Sequence, residues 1–133
     1  MSTTDLEREL RELYASNDVA ELSGKLAELA ADNIVQEWPQ SGERIRGRDN
    51  VLAINKQYEG ATGTRPSLTL RRLTPPGGAW VAEATIDYGD GTPVSLVSIL
   101  ETDESGRIVK QTDYFANPFE APEWRRQWTE PID

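Results

Sequence analysis

The feature that most constrains this chain is a change of hydrophobic period near Ser67. Ahead of it, apolar residues recur at the spacing of helices; behind it, they alternate as they do in strands. Leu6, Leu10, Leu13 and Tyr14 share one helical face, behind Thr4 and Glu7 at capping-box spacing. Asn17 or Asp18 caps a second helix carrying Val19, Leu22, Leu26 and Leu29, and Gly24 interrupts its pattern, which leaves the boundary between the two helices open. Residues 34–38 read as extended, 39–42 as a turn and 43–47 as a short strand with a polar face. Asp49 then caps a helix bearing Val51, Leu52, Ile54, Asn55 and Tyr58, stopped at Gly60. A loop follows to Pro66.

Four strands are predicted after the switch, over 67–74, 80–88, 93–101 and 107–115. The peptides between them, Pro75-Pro76-Gly77-Gly78, Gly89-Asp90-Gly91 and Asp103-Glu104-Ser105-Gly106, are turn chemistry. Helices first and a meander of strands last argues for one α+β domain spanning 1–133, with helices covering one face of a curved sheet. On the second of these strands Trp80, Ala82, Ala84, Ile86 and Tyr88 form an apolar, inward set, while Val81, Glu83, Thr85 and Asp87 belong outside. The outer face, with Val81, Val97 and Ile99 among its charges, is expected to carry a homodimer contact. Phe119, Trp124 and Trp128, threaded by Pro118, Pro122 and Pro131, make residues 116–133 too aromatic for a loose tail; that segment is expected to pack back on the domain, to cap a pocket, or to meet a partner subunit.

Composition narrows the chemistry. The 133 residues include no histidine and no cysteine. A Ser-His-Asp triad, an imidazole switch, a thiolate nucleophile, a disulfide and a cysteine zinc site are thereby excluded. Catalysis would have to come from carboxylates, tyrosine, lysine or arginine, with no cofactor and no metal expected. A net charge of −9 would mostly repel nucleic acid and anionic lipid. The first thirteen residues are acidic and alternating, unlike a signal or transit peptide, and no apolar run approaches the ~18 residues of a membrane span. The expectation is a cytoplasmic protein that binds neither nucleic acid nor membrane.

Several segments, in order, resemble the nuclear transport factor 2-like superfamily, in particular its SnoaL-like branch of polyketide cyclase and ketosteroid isomerase relatives. They are Ala31-Asp32-Asn33-Ile34-Val35, the turn Ser41-Gly42-Glu43-Arg44-Ile45-Arg46-Gly47, the helix after it, and Asp113-Tyr114-Phe115 near the end of the last strand. The resemblance covers nearly the whole chain. It implies a cystatin-like cone of strongly bent antiparallel sheet wrapped around N-terminal helices, a pocket at the open end, and often a homodimer. It leaves activity open, because members include isomerases, cyclases, epoxide hydrolases, dehydratases and non-catalytic binding domains. Against ketosteroid-isomerase-like members, Tyr14 falls on the oxyanion-hole tyrosine, Trp38 on the general-base aspartate and Ser98 near the second acid. Against epoxide-hydrolase-like members, Asp113 matches an aspartate that works on water, while Pro93 and Ser95 stand where an arginine and a second aspartate belong. SnoaL-like cyclases use a single aspartate near this strand, and Asp113 can supply that role.

The candidate catalytic residues are therefore Asp113 and Tyr14. Asp113 alternates with Gln111, Val109 and Phe115; an apolar setting would disfavour its charged form, which suits acid/base work. The other reading of Asp113 is a carboxylate hydrogen-bonded to hold the sheet. Tyr14 would donate to a ligand oxyanion, or else be a core tyrosine whose hydroxyl finds Asn55. Trp38, Trp80 and Phe115 would make an aromatic wall, or simply fill the cone, with Trp38 partly plugging it. Asn55 and Tyr58 from the third helix, Ala84 and Ile86 from one strand, and Leu96 and Ser98 from the next complete the expected ligand-facing set. Two functions stay open: a small apolar organic ligand bound in the cone for cofactor-free cyclase, isomerase or hydrolase chemistry, or a non-catalytic ligand-binding or dimerisation module.

Overall fold

The period switch divides the folded chain as the sequence predicts. The structure, a computed structural model, describes residues 2–74 and 77–132. Helices α1 (Thr3–Tyr14) and α2 (Val19–Leu29) lead into β1 (Ala30–Trp38) and β2 (Glu43–Arg46), then α3 (Arg48–Thr62). Strands β3 (Ser67–Thr74), β4 (Trp80–Asp87), β5 (Pro93–Thr102) and β6 (Ile108–Ala116) follow, and a 3-10 helix (Glu123–Trp128) ends the chain. The Pro75-Pro76 half of the first expected turn lies outside the described residues. Among the described residues no helix is long and apolar enough to cross a membrane.

The termini of the helices show which local signals acted. Ser2, not Thr4, caps α1: its side chain accepts from Asp5 N at 3.1 Å. Asp18 caps α2 by accepting from Ala20 N at 3.1 Å, and Gly24 sits inside that helix without breaking it. Helix α3 starts behind Gly47 rather than at Asp49, which falls within its first turn. Gly47 holds φ at 87° while its N–H donates 2.8 Å to Ile34 O, a backbone geometry that favours glycine. The same helix runs through Gly60 and stops at Gly63, whose left-handed φ of 70° closes the C-terminus.

All six strands form one sheet in the order β2-β1-β6-β5-β4-β3. From β3 to β6 it is the expected antiparallel meander. The one departure from a wholly antiparallel sheet is β1, which pairs parallel to β6, with Gln36 beside Gln111. Register shifts interrupt the β1–β6, β3–β4 and β5–β6 pairings, and such irregularities bend a sheet and increase its twist. The helices lie against its inner face, α1 toward β3 and α2 and α3 toward β1. Between the layers Leu10, Tyr14, Leu68, Trp80, Leu100 and Ile108 are almost wholly buried.

The expected alternation on β4 holds: Trp80, Ala82, Ala84 and Ile86 are buried, whereas Val81, Glu83 and Thr85 are half-exposed. The C-terminal segment does not pack back on its own domain. Phe119, Trp124 and Trp128 are 79%, 72% and 73% exposed. Arg126 instead bonds locally, to Ala121 O and Glu120.

Candidate functional site

Helices α2 and α3 and the inner sheet face enclose a cavity of about 400 Å³. Leu22 and Leu26 of α2, Leu68 of β3, Ile86 of β4, Leu96 of β5 and Phe115 of β6 give it apolar walls. Tyr14, Gln36, Ser98, Gln111 and Asp113 make one polar end. Its exposed border includes Gln40, Ser41, Lys56, Glu59 and Arg65. Arg65 is held there by Asp18 at 2.6 Å and Glu59 at 3.3 Å.

Sheet register assembles the polar end. The β5–β6 pairing sets Ser98 opposite Asp113, and the parallel β1–β6 joint brings Gln36 and Trp38 to the same place. Asp113 is 5% exposed. Its Oδ1 accepts from Ser98 Oγ at 2.6 Å and from Gln111 Nε2 at 3.1 Å. Its Oδ2 accepts from Gln36 Nε2 at 2.7 Å and Trp38 Nε1 at 3.3 Å, with Gln111 Nε2 also at 3.2 Å. The expected apolar setting for this carboxylate is therefore corrected: four side-chain donors surround it. A carboxylate this deep is costly to bury without such partners. Trp38 serves as one of them while bordering the cavity.

Tyr14 is 1% exposed at the end of α1. Burial pushes its hydroxyl well above the usual tyrosine range, the nearby Asp113 carboxylate pushes it further, and the Ser98 hydroxyl opposes both. Tyr14 thus keeps its proton and acts as a donor. Because the Ser98 proton is committed to Asp113, any bond between Tyr14 and Ser98 has the tyrosine donating. The expected Tyr14–Asn55 pair is absent: Asn55 Nδ2 is buried with no hydrogen-bond partner among the described residues. Among those residues no group of three carboxylates gathers as metal ligands.

Of the residues singled out from sequence, Tyr14, Trp38, Asn55, Tyr58, Ile86, Leu96, Ser98, Asp113 and Phe115 all border the cavity. Trp80 and Ala84 do not; both are core residues, 1% and 2% exposed. Alternation identifies a face, not a depth along it: Trp80 pairs with Leu100 at one end of β4, and Ile86 with Val94 at the other. Sequence reading missed Gln36, Leu22, Leu26, Leu68, Arg65 and Tyr88. A signal for Gln36 existed, since it alternates with Ile34 and Trp38 and so is a polar residue on an inward-facing set.

No family profile and no curated protein sequence matches the chain. Solved structures do. An NTF2-like protein of unknown function from Burkholderia xenovorans LB400 is 35% identical over 96% of this chain and 98% of its own, with a TM-score of 0.72. The chain belongs to the NTF2-like family. A candidate ketosteroid isomerase from Kribbella flavida is 27% identical over 94% of this chain and 91% of its own, with a TM-score of 0.73. A candidate isomerase of the SnoaL-like family from Agrobacterium tumefaciens, 16% identical over 80% of this chain and 94% of its own, shares the fold at a TM-score of 0.61.

Proposed function

We propose that this NTF2-like protein binds a small, largely apolar organic molecule in its cavity and performs cofactor-free acid/base chemistry of the isomerase or cyclase type. The supporting observation is one buried carboxylate among the described residues, Asp113, at the polar end of a cavity whose walls are apolar. A ligand carbonyl there accepts from the Tyr14 hydroxyl. Asp113 takes a proton from the carbon beside that carbonyl; the C–H electron pair moves onto the oxygen, and the same carboxyl returns the proton to the same or another carbon. The likeness to the Kribbella candidate ketosteroid isomerase supports this reaction class. With Trp38 and Ser98 at the positions of that family's base and second acid, the proton must move through Asp113 on β6 rather than through the usual aspartate.

One observation favours a second reading, ligand binding without turnover: both Asp113 oxygens already accept hydrogen bonds. A methyl-ketone probe separates the two. In heavy water, 2-acetylnaphthalene exchanges its acetyl protons only if a base removes them, and proton NMR follows the loss of signal. The enzyme reading expects exchange accelerated by the wild type and lost in Asp113→Asn. Binding with no accelerated exchange leaves the second reading. The proposal also includes pairing of two copies through the outer sheet face and the exposed aromatics Phe119, Trp124 and Trp128; a monomer by sedimentation at micromolar concentration would remove that part.

A further inference from the structure

Two apolar surfaces of this chain face solvent. One is the C-terminal arm that follows β6, where the rings of Phe119, Trp124 and Trp128 are largely exposed. The other is a stripe on the outer face of the sheet. Pairing of β4, β5 and β6 sets Val81 beside Ile99 and Val97 beside Tyr114 on that face; the three aliphatic residues are half-exposed and Tyr114 is exposed. The arm begins where β6 ends at Ala116, just past Tyr114, so the two surfaces adjoin along the chain without covering each other.

The arm is ordered before it meets anything. A 3-10 helix spans Glu123–Trp128, Arg126 donates to Ala121 O and Glu120, both at 2.9 Å, and the Arg125 guanidinium stands 5.9 Å from the centre of the Trp124 ring. Rings on a preformed support dock at a smaller ordering cost than rings on a loose tail. Tryptophan and arginine are also the side chains enriched among the anchors of protein interfaces.

Charge and area select the partner. The chain carries a net −9, yet charges around the stripe answer one another: Arg72 pairs with Glu83, and Arg44 and Lys110 flank Glu37. A second copy can therefore approach this face without the repulsion that an acidic surface would impose. Aromatic rings bury roughly 150–250 Å² each. Three of them with the face they cover, counted for two arms, come to about 2,000 Å², which is enough for a stable pair.

We propose that two copies pair by exchanging C-terminal arms: residues 117–132 of each copy lie across the outer sheet face of the other, with the aromatic rings on the stripe of Val81, Val97, Ile99 and Tyr114. The inference rests on the proposed pairing of two copies and adds which surface of one meets which surface of the other. A two-fold axis makes the contact reciprocal, so both arms and both stripes are covered at once. Packing stripe on stripe, or arm on arm, leaves the other apolar surface in water.

The test uses two variants of the full chain, each damaging one half of the contact, followed by sedimentation velocity. Trp124→Ala with Trp128→Ala removes the anchors of the arm. Tyr114→Arg sets a charge in the stripe, and Val97→Arg takes its place if circular dichroism shows the first face variant unfolded. Each variant alone is expected to dissociate at least about a hundredfold more readily than wild type, the scale of losing interface anchors. Mixed in equal amounts, where neither pairs with itself, the two are expected to form a heterodimer, because the intact arm of the face variant meets the intact stripe of the arm variant. Stripe-on-stripe and arm-on-arm packing give no such rescue. Either variant pairing as tightly as wild type, or two monomeric variants that stay apart on mixing, overturns the inference while wild-type pairing stands. A wild type that is monomeric at micromolar concentration removes the pairing itself, and the inference with it.

Discussion

The two ends of the cavity are built from similar residue types and held by different physics. At the inner end, Asp113 is 5% exposed and its partners are neutral donors from three strands. At the outer border, Asp18 and Glu59 pair with Arg65, whose side chain is 57% exposed. A hydrogen bond in a dry interior is hard to replace, because water cannot take over when a partner is removed. An ion pair at the surface is screened, and water substitutes for either member. The comparison teaches that a chain with 23 acidic residues concentrates its energetic dependence on very few of them. The inner end is where sequence changes should matter; the border is where they should be tolerated.

The sharpest break of this comparison is Asp113→Asn. Four donors would lose a charged acceptor, and the new amide would turn an N–H₂ toward at least one of them. A loss of about 2–3 kcal/mol in unfolding free energy is expected from urea denaturation, the scale of buried bonds to a charged group. A change indistinguishable from zero would mean that the network is not holding the sheet.

A smaller effect is expected from pH at Tyr14. Burial and Asp113 raise its hydroxyl above the ordinary value of 10.0, so the unfolded chain releases this proton before the folded one does. Stability from this group is complete below that value and is lost as pH rises beyond it. Tyr14→Phe should flatten the alkaline decline in stability relative to wild type, measured by denaturation on either side of pH 10. Parallel declines would show that the hydroxyl is not buried in solution.

At the border, Asp18→Ala should cost about 1 kcal/mol, and chiefly through loss of the α2 cap. The Arg65 hydrogen bond holds the Asp18 carboxyl below its usual range, so that contribution is present above 3.8 and disappears as pH falls through the lowered value. Arg65→Ala should have the smallest effect of all, with no measurable change in denaturation midpoint and none in its salt dependence. An Arg65→Ala loss exceeding that of Asp113→Asn would reverse the comparison altogether.

Much of the α+β layout was legible because it follows from local pattern. The period switch at Ser67, the Gly- and Asp-rich turns, and the alternation of Trp80, Ala82, Ala84 and Ile86 each act within a few residues. The site was legible in part for the same reason: Asp113 and Tyr14 stand out as polar groups on apolar faces. Helix ends were less so, since Gly60 and Gly63 offer the same stop and only the one that reaches a left-handed backbone ends α3.

What pattern could not decide was pairing at a distance. Nothing near Gln36 in sequence indicates that β1 will lie parallel to β6, 75 residues away at Gln111, yet that joint surrounds Asp113 with donors and turns an expected apolar setting into a polar one. The aromatic residues make the same point. Trp80 and Trp128 are equally apolar in sequence, but one is 1% and the other 73% exposed. Sequence by itself determined which residues alternate, which turns close and which acids lack a histidine or cysteine to work with. Tertiary structure alone decided how deep each face lies, which strand completes the sheet, and that Asn55 Nδ2 meets no hydrogen-bond partner among the described residues. The physical reason is range: periodicity and turn chemistry are set by neighbouring residues, whereas burial and hydrogen-bond partnership depend on segments that only the folded sheet brings together.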